Sequence, residues 1–368
     1  MSTAMVDIPY QTAVRPPAIS RRRLLGAAGA AALLPALVGC GDREPGPRSD
    51  GEPDQVTYLT TFGESGRDSY ARVAVAKGFF AEQNLTVRIE PGAAGDANHQ
   101  ALAGGAAQFA TVDSAGAFIR YVNGEDDSFQ VIAAIHQLPL IGLVAFADSD
   151  IRRPRDLAGR TIGLAAGSIA ETLWPAYADL ASIDVSDITT VPTSPQTQVQ
   201  ELVAGRLDAI GLFVVGTPGI EAAGGGREVV TFPFSDFLSD LYGTVLVAPK
   251  QVIEQDPDLV RRFTTGLLRG LEYAVANPQE AGEILHEAQP TQDPQVAAAE
   301  LELMRPYVYA GIAPGEPAGH LAPDRVTRAM ALLASLGEIT EDFNLALGTE
   351  GVGGVVNYEF IPNQAGPA

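Results

Sequence analysis

Between Val56 and Pro249, short β-rich runs alternate with stretches whose apolar residues recur at helical spacing. No other feature narrows the fold as much. Strands and helices in alternation bury their apolar faces as an α/β protein, with helices packed on largely parallel sheets. VTYLTTF (Val56–Phe62) reads as a strand, and SYARVAVAKGFFAEQ (Ser69–Gln83) puts Tyr70, Val73, Ala74, Lys77 and Phe80 on one helical face before Asn84 ends it. LTVRIEPG alternates as a second strand, and FATVD, VIAAIHQ, LIGLVAFA and Thr161–Ala165 are further strands. Ser168 and Glu171 make an S-x-x-E capping box in front of a helix over Ile169–Ala181. ITTVPT, a helix around Gln196–Val203, LDAIGLFVV and GTVLVA follow, and from Gln251 to about Leu336 the pattern is mostly helical. The chain has no repeat at solenoid periods.

The N-terminus obeys different rules. In SRRRLLGAAGAAALLPALVGCGD (Ser20–Asp42), three arginines precede an apolar run from Leu24 to Gly39, interrupted by Pro35, and then Cys40, the only cysteine of 368 residues. This is the layout of an export signal, and the run is short of the about 20 residues a membrane span needs. Arg21 and Arg22 resemble a twin-arginine address. Leu37-Val38-Gly39-Cys40 resembles the bacterial lipobox, in which the cysteine sulfur is acylated, each buried CH₂ adding about 0.8 kcal/mol of membrane affinity. Residues 1–40 are therefore expected to be a signal peptide, and residues 41–53, rich in Gly, Pro and charge, a flexible tether. A single cysteine leaves no disulfide within the chain.

Formal net charge is −21. The leader through Gly39 carries net +3 (four arginines against Asp7), which leaves about −24 for the rest. That balance excludes nucleic acid as a partner, because its binders need basic stripes, and argues against docking on anionic lipid by charge. Arginines number 22 against two lysines, a compositional bias without functional content. Residues beyond the tether suffice for two domains, and 46% apolar residues suffice for their cores.

Four stretches, AVAKGFFAEQNLTVRI, ALAGGAAQFATVD, IRRPRDLAGRTIGLAAGS and LVAGRLDAIGLFV, resemble in order the substrate-binding proteins of ABC importers. The similar branch includes the nitrate-, sulfonate- and taurine-binding proteins and the thiamine-pyrimidine and riboflavin binders. The resemblance covers about Val56 to Pro290. It implies a two-lobed periplasmic-binding-protein fold (type II), with the ligand cleft between lobes joined by two crossing strands. Lobe 1 is expected over residues 54–144 plus 244–345, lobe 2 over 145–243, and a C-terminal tail over 346–368. Such proteins close on a small-molecule ligand and dock on permease and ATPase subunits; a monomer without cofactor is expected.

Ligands of open α/β sheets sit beyond the carboxyl ends of strands, which selects the candidate site residues. In the pyrimidine-binding branch the first such loop reads D-W-x-P-N-x-x-H. Phe62 falls where that tryptophan would be, and the Pro-Asn and His are missing, so an aromatic face is kept and the polar specificity changed. Tyr70 either stacks on a flat ligand or belongs to the helix core. Arg67 and Asp68 either face the ligand or only cap the helix. Asp113 and Ser114 follow the FATVD strand, where Asp113 is either a cap or a ligand contact. His136 and Gln137 end the VIAAIHQ strand, so His136 is either cleft-facing or a satisfied buried histidine. Ser168 opens a helix whose unpaired amides suit an anionic or polar acceptor; Glu171 and Trp174, the only tryptophan, lie on its next turn, and Trp174 is either core or cleft. Phe213 follows LDAIG. His99, His286 and His320 are scattered without metal-ligand spacing.

Two other classes compete. An enzyme needs a nucleophile or acid–base pair, yet G-x-S-x-G, H-E-x-x-H and P-loop motifs are missing, and the cysteine-rich motif of the related pyrimidine synthase has no counterpart. A ligand-sensing receptor would share the fold and cleft. The leader makes its own prediction: Cys40→Ala is expected to leave the precursor uncleaved or to release the protein from membranes, and Arg21→Lys with Arg22→Lys to block export, both read by fractionation. Unchanged processing and membrane retention of Cys40→Ala would refute lipidation.

Overall fold

The computed structural model describes residues 51–93, 95–194, 197–313, 316–339 and 354–361. Arg21, Arg22 and Cys40 lie outside the described residues, as does the rest of the expected signal peptide. The chain begins with β1 (Asp54–Leu59), β2 (Phe62–Gly63), α1 (Ser69–Ala76), β3 (Leu85–Glu90), β4 (Gly92–Ala93), α2 (Gly95–Ala103), β5 (Phe109–Asp113), α3 (Ser114–Val122) and β6 (Phe129–Ala134). It continues with β7 (Ile141–Phe146), β8 (Thr161–Ala165), α4 (Ile169–Leu180), β9 (Thr189–Thr193), α5 (Gln198–Val203), β10 (Ala209–Phe213), α6 (Thr217–Ala223) and β11 (Val229–Pro233). After β12 (Thr244–Pro249) come α7 (Lys250–Gln255), α8 (Pro257–Ala276), α9 (Pro278–Ala288), α10 (Pro294–Tyr309) and α11 (Pro323–Ser335).

Local chemistry sets these boundaries. The helix expected to reach Gln83 stops at Ala76, because Gly78 turns the chain at φ 76° and Asn84 closes the following 3₁₀ turn at φ 55°. Three late helices start at an Asx-Pro step: Asp256-Pro257, Asn277-Pro278 and Asp293-Pro294. The Asp256 carboxylate accepts the Leu259 amide at 3.0 Å and that of Asp293 accepts Gln295 at 2.8 Å. The proline gives up an amide that has no helical partner anyway.

The strands form two five-stranded sheets, ordered β3-β1-β5-β12-β6 and β11-β7-β10-β8-β9. Each is mixed rather than uniformly parallel: β12 runs against both neighbours in the first, and β7 against both in the second. The reversal follows from the crossings. The start of β7 (Ile141) lies opposite the end of β10 (Phe213), and the start of β12 (Thr244) opposite the end of β5 (Asp113). Each crossing thus delivers the chain into the other sheet at the edge where its remaining strands finish, so the incoming strand must run backwards. The carboxyl ends of the other strands are left facing the crossings.

Two expectations about boundaries change. All of β7 pairs in the second sheet, so a lobe boundary after Val144 falls inside a strand, and the first crossing is residues 135–140. A strand cannot be divided between two sheets without losing its ladder. The supposed tail also takes part in the fold. Val131 donates to the Val355 carbonyl at 2.8 Å, Asn357 donates back to Val131 at 2.9 Å, and Val355 and Val356 are fully buried beside β6.

In the first lobe, α1 and α8 cover one sheet face. There Phe263 stacks on Phe109 (centroids 3.9 Å apart) and on Phe80 (5.3 Å), next to Tyr58. The apolar cluster on the opposite face continues into the second lobe through Phe234, Leu238, Leu241 and Tyr242. Arg325 of α11 holds this junction: its guanidinium donates to the carbonyls of Gln137 on one crossing and of Ser239 (2.8 Å), Leu241 (2.9 Å) and Asp240 (3.3 Å) on the other, and lies over the Tyr242 ring at 4.2 Å. A lysine offers a point charge in place of a planar fork. Arg325→Lys is therefore expected to lower stability by about 1–3 kcal/mol in urea titration and to speed hydrogen exchange of the Gly243 amide; unchanged values of both would remove the staple from this account.

Candidate functional site

The site is built from loops that follow the strand ends. In the first lobe, Thr60 to Asp68 link β1 to α1, and within this loop β2 pairs with β4, Phe62 opposite Ala93. α10 and the α9–α10 loop clamp this loop. Glu300 of α10 accepts the Arg67 amide at 3.2 Å, Gln292 donates to the Glu64 carbonyl at 2.9 Å, and Gln289 donates to the Glu64 carboxylate. A Cβ on Gly66 would meet the Ala297 carbonyl oxygen at 2.5 Å, so the loop backbone lies directly on α10. Arg72 closes a two-pronged pair on Glu64 at 2.5 and 2.9 Å.

Arg67 is the residue of this loop that reaches the second lobe. Its guanidinium carbon stands 4.4 Å from the centroid of the Phe213 ring at the end of β10. Nη1 donates to Ser65 Oγ (2.9 Å), Nη2 donates to the Phe62 carbonyl (2.7 Å), and Nη2 lies 3.3 Å from Asp68 Oδ2. Asp68 is 2% exposed, and its carboxyl is pushed up to about 6, first by burial and then by Glu300 and Glu64, against the pull of Arg67. Glu300, also buried, is raised by the same cause.

His136 follows β6 at the first crossing. Its backbone is fixed by Thr244 and Gly243, its ring is 3% exposed, and neither ring nitrogen has a hydrogen-bond partner. Burial pushes it down to about 3, and the Arg67 charge adds to this, so the ring is neutral. It is not a satisfied buried histidine. The fold therefore gathers Phe62, Arg67, Asp68, His136 and Phe213 in one neighbourhood spanning both lobes.

The other candidates go elsewhere. Tyr70 is core: its hydroxyl bonds Tyr58 at 3.0 Å, Tyr58 in turn bonds Thr111 at 3.0 Å, and the ring packs under α8. Ser114 and Gln137 serve the framework. Ser114 Oγ donates to the Tyr242 carbonyl at 2.6 Å, and the Gln137 amide to the His320 carbonyl at 2.9 Å. Ser168 accepts the Glu171 amide at 3.3 Å, and the Glu171 carboxylate takes the Gly167 amide at 2.6 Å. The Glu171 carboxylate thus stands at the start of α4, on the amide just before its cap. Trp174 lies on the buried stripe of α4 with Ala170, Leu173, Tyr177 and Ala178, so it is core.

Sequence reasoning passed over two features. Glu300 sits on the buried stripe of α10 with Ala297, Leu301 and Met304; a carboxylate on an apolar stripe was the available signal. Phe234 and Asp236 follow β11 just as the chosen loops follow their strands. The buried Tyr177 stacks on Phe234 at 4.4 Å with its hydroxyl unpartnered.

Residues 70–281 match the NMT1/THI5-like family. The chain belongs to that family. It is 24% identical over 241 residues to the riboflavin-binding protein RibY of Chloroflexus aurantiacus, covering 65% of this chain and 68% of that protein. It is 25% identical over 224 residues to the formylaminopyrimidine-binding protein of Halalkalibacterium halodurans, covering 59% and 65%. Among solved structures it superposes on the alkanesulfonate-binding protein SsuA of Xanthomonas axonopodis pv. citri bound to MOPS. The TM-score is 0.63 at 15% identity, over 80% of this chain and 97% of that one. The fold of this NMT1/THI5-like protein is the periplasmic-binding-protein fold, and the relatives just named are binding proteins.

Asp113 caps α3, accepting the Ala115 and Gly116 amides at 2.9 and 3.3 Å, and burial pushes its carboxyl up to about 7. A carboxyl raised in the folded state keeps its proton there after the unfolded chain has lost it. Its contribution is therefore full below the ordinary value of 3.8 and is lost as pH rises through about 7. The lowered His136 acts in the opposite sense, and its contribution is complete above 6.5. Asparagine caps as well as aspartate. Asp113→Asn should thus gain stability at pH 8 relative to pH 5 when compared with the unaltered protein, by urea titration. Identical pH dependence would place the titration elsewhere.

Proposed function

We propose that this chain is the extracytoplasmic, lipid-anchored solute-binding subunit of an ABC importer. It captures one small molecule between its lobes by hinge closure and delivers it to the permease, without catalytic turnover. Family membership and the names of the relatives support the binding role. The leader, with Arg21, Arg22 and Cys40, supports export and anchoring, and among the described residues no helix is long and apolar enough to cross a membrane.

The favoured ligand is a thiamine-precursor pyrimidine or a related flat heterocycle. One observation carries this choice over a sulfonate or nitrate: the cation of the interlobe neighbourhood is already balanced. Arg67 lies against Asp68, Glu300 accepts its backbone amide, and the other arginine of this region, Arg72, is paired with Glu64. A small anion needs surplus positive charge or open helix amides, and the Glu171 carboxylate already stands at the start of α4, on the Gly167 amide. An aromatic face beside neutral polar groups suits a ring instead.

A thermal-shift panel of aminopyrimidines, flavins, taurine and nitrate tests this. A cognate solute should stabilise by about 2.7 kcal/mol at a hundredfold excess over Kd. Stabilisation by taurine or nitrate alone would sink the heterocycle and leave the importer role standing; stabilisation by none of a broad solute panel would count against binding itself.

A further inference from the structure

The position of Arg67 is unusual for a residue that only caps a loop. Its side chain is about nine-tenths buried, it is planar, and it lies on the Phe213 ring of the second lobe. Each polar partner around the guanidinium is an acceptor: the Phe62 carbonyl, Ser65 Oγ and the Asp68 carboxylate. The set of a π-face, a carbonyl, a hydroxyl and a carboxylate selects a flat, delocalised group edged with N–H donors. The His136 imidazole adds an independent demand. Both of its nitrogens are buried and unpartnered. A neutral imidazole presents one donor and one acceptor, and leaving them unmatched costs free energy that a solute can recover.

Resting on the binding reading above, we propose that the Arg67 guanidinium is an internal surrogate for the solute. It holds the Phe213 face, and the cognate solute is a planar ring with an amidine-like N–C–NH₂ edge that displaces it. The amino group takes over the donation that Arg67 makes to the Phe62 carbonyl, and it meets Asp68, whose Oδ2 has no hydrogen-bond partner. The ring nitrogen is left as an acceptor for the N–H of the neutral His136 imidazole. Arg67 is then a competitor for the site rather than a contact to the solute, and its release frees the charge partner of Asp68.

The test is titration calorimetry on the full chain with 4-aminopyrimidine, pyrimidine and methanesulfonate as probes. The unaltered protein is compared with Arg67→Gln, Arg67→Met and Phe213→Leu, each checked for folding by circular dichroism and urea midpoint. Removing the surrogate should tighten 4-aminopyrimidine about tenfold, the scale of one desolvated cation–π contact. Pyrimidine and methanesulfonate should gain nothing, and Phe213→Leu should weaken 4-aminopyrimidine. Arg67→Met, which keeps the stem, repeats the measurement if the glutamine variant is unstable. Weaker 4-aminopyrimidine binding in both Arg67 variants would overturn the proposal, as would methanesulfonate binding that disappears with Arg67; the binding role would survive both. Absence of 4-aminopyrimidine binding in every variant would also overturn it, and the broader solute panel then decides separately whether the protein binds solutes at all.

Discussion

One arginine on the last described helix gathers the backbone of both crossings. The Arg325 guanidinium reaches carbonyls on either side of the junction, and the orientation of the two lobes depends on that convergence. Carbonyls in a crossing segment have no ladder partner, and a buried one left unpaired is costly. A single planar group that satisfies several of them, and stacks on Tyr242, makes two otherwise independent segments one mechanical element. Because both crossings pass this point, the strand reversals of β7 and β12 and the facing of the remaining strand ends are referred to the same place.

Electrostatics divides the interlobe region into two kinds of group. Glu64 and Arg72 neutralise each other and fix the loop. Arg67, Asp68 and His136 are buried with incomplete partnership, and burial drives the two ionisable ends in opposite directions, Asp68 up and His136 down. Both shifts move the region toward neutrality. An acidic exterior slows the approach of an anion, while a near-neutral interior suits groups that bond without full charge.

Elements governed by nearby residues could be read from sequence. The Ser168 cap and the alternating strands depend on neighbours within a few positions, and the structure has them, though the Glu171 carboxylate takes the Gly167 amide in place of the cap's own. What depended on distant partners was less accessible. Nothing within β7 says which sheet it joins; that is decided by its pairing with β10 and β11. The valines near the C-terminus find their ladder on β6, more than 200 residues earlier. Tyr70 and Trp174 were ambiguous because a helix stripe does not reveal whether it faces a sheet or a cleft. His136 was read as a choice between cleft and satisfied core; its burial without any partner is visible only in three dimensions.

The edge pairing of residues 354–357 on β6 carries a consequence for synthesis. The second lobe is a continuous stretch of chain from β7 to β11 and has all its strands once that stretch has emerged. The first lobe is split by it, and its β6 edge is completed by residues 354–357, which follow the whole second lobe in the chain. During translation the two lobes therefore mature out of order: the lobe that starts first finishes last, holding an uncovered β6 edge of the kind that invites mispairing.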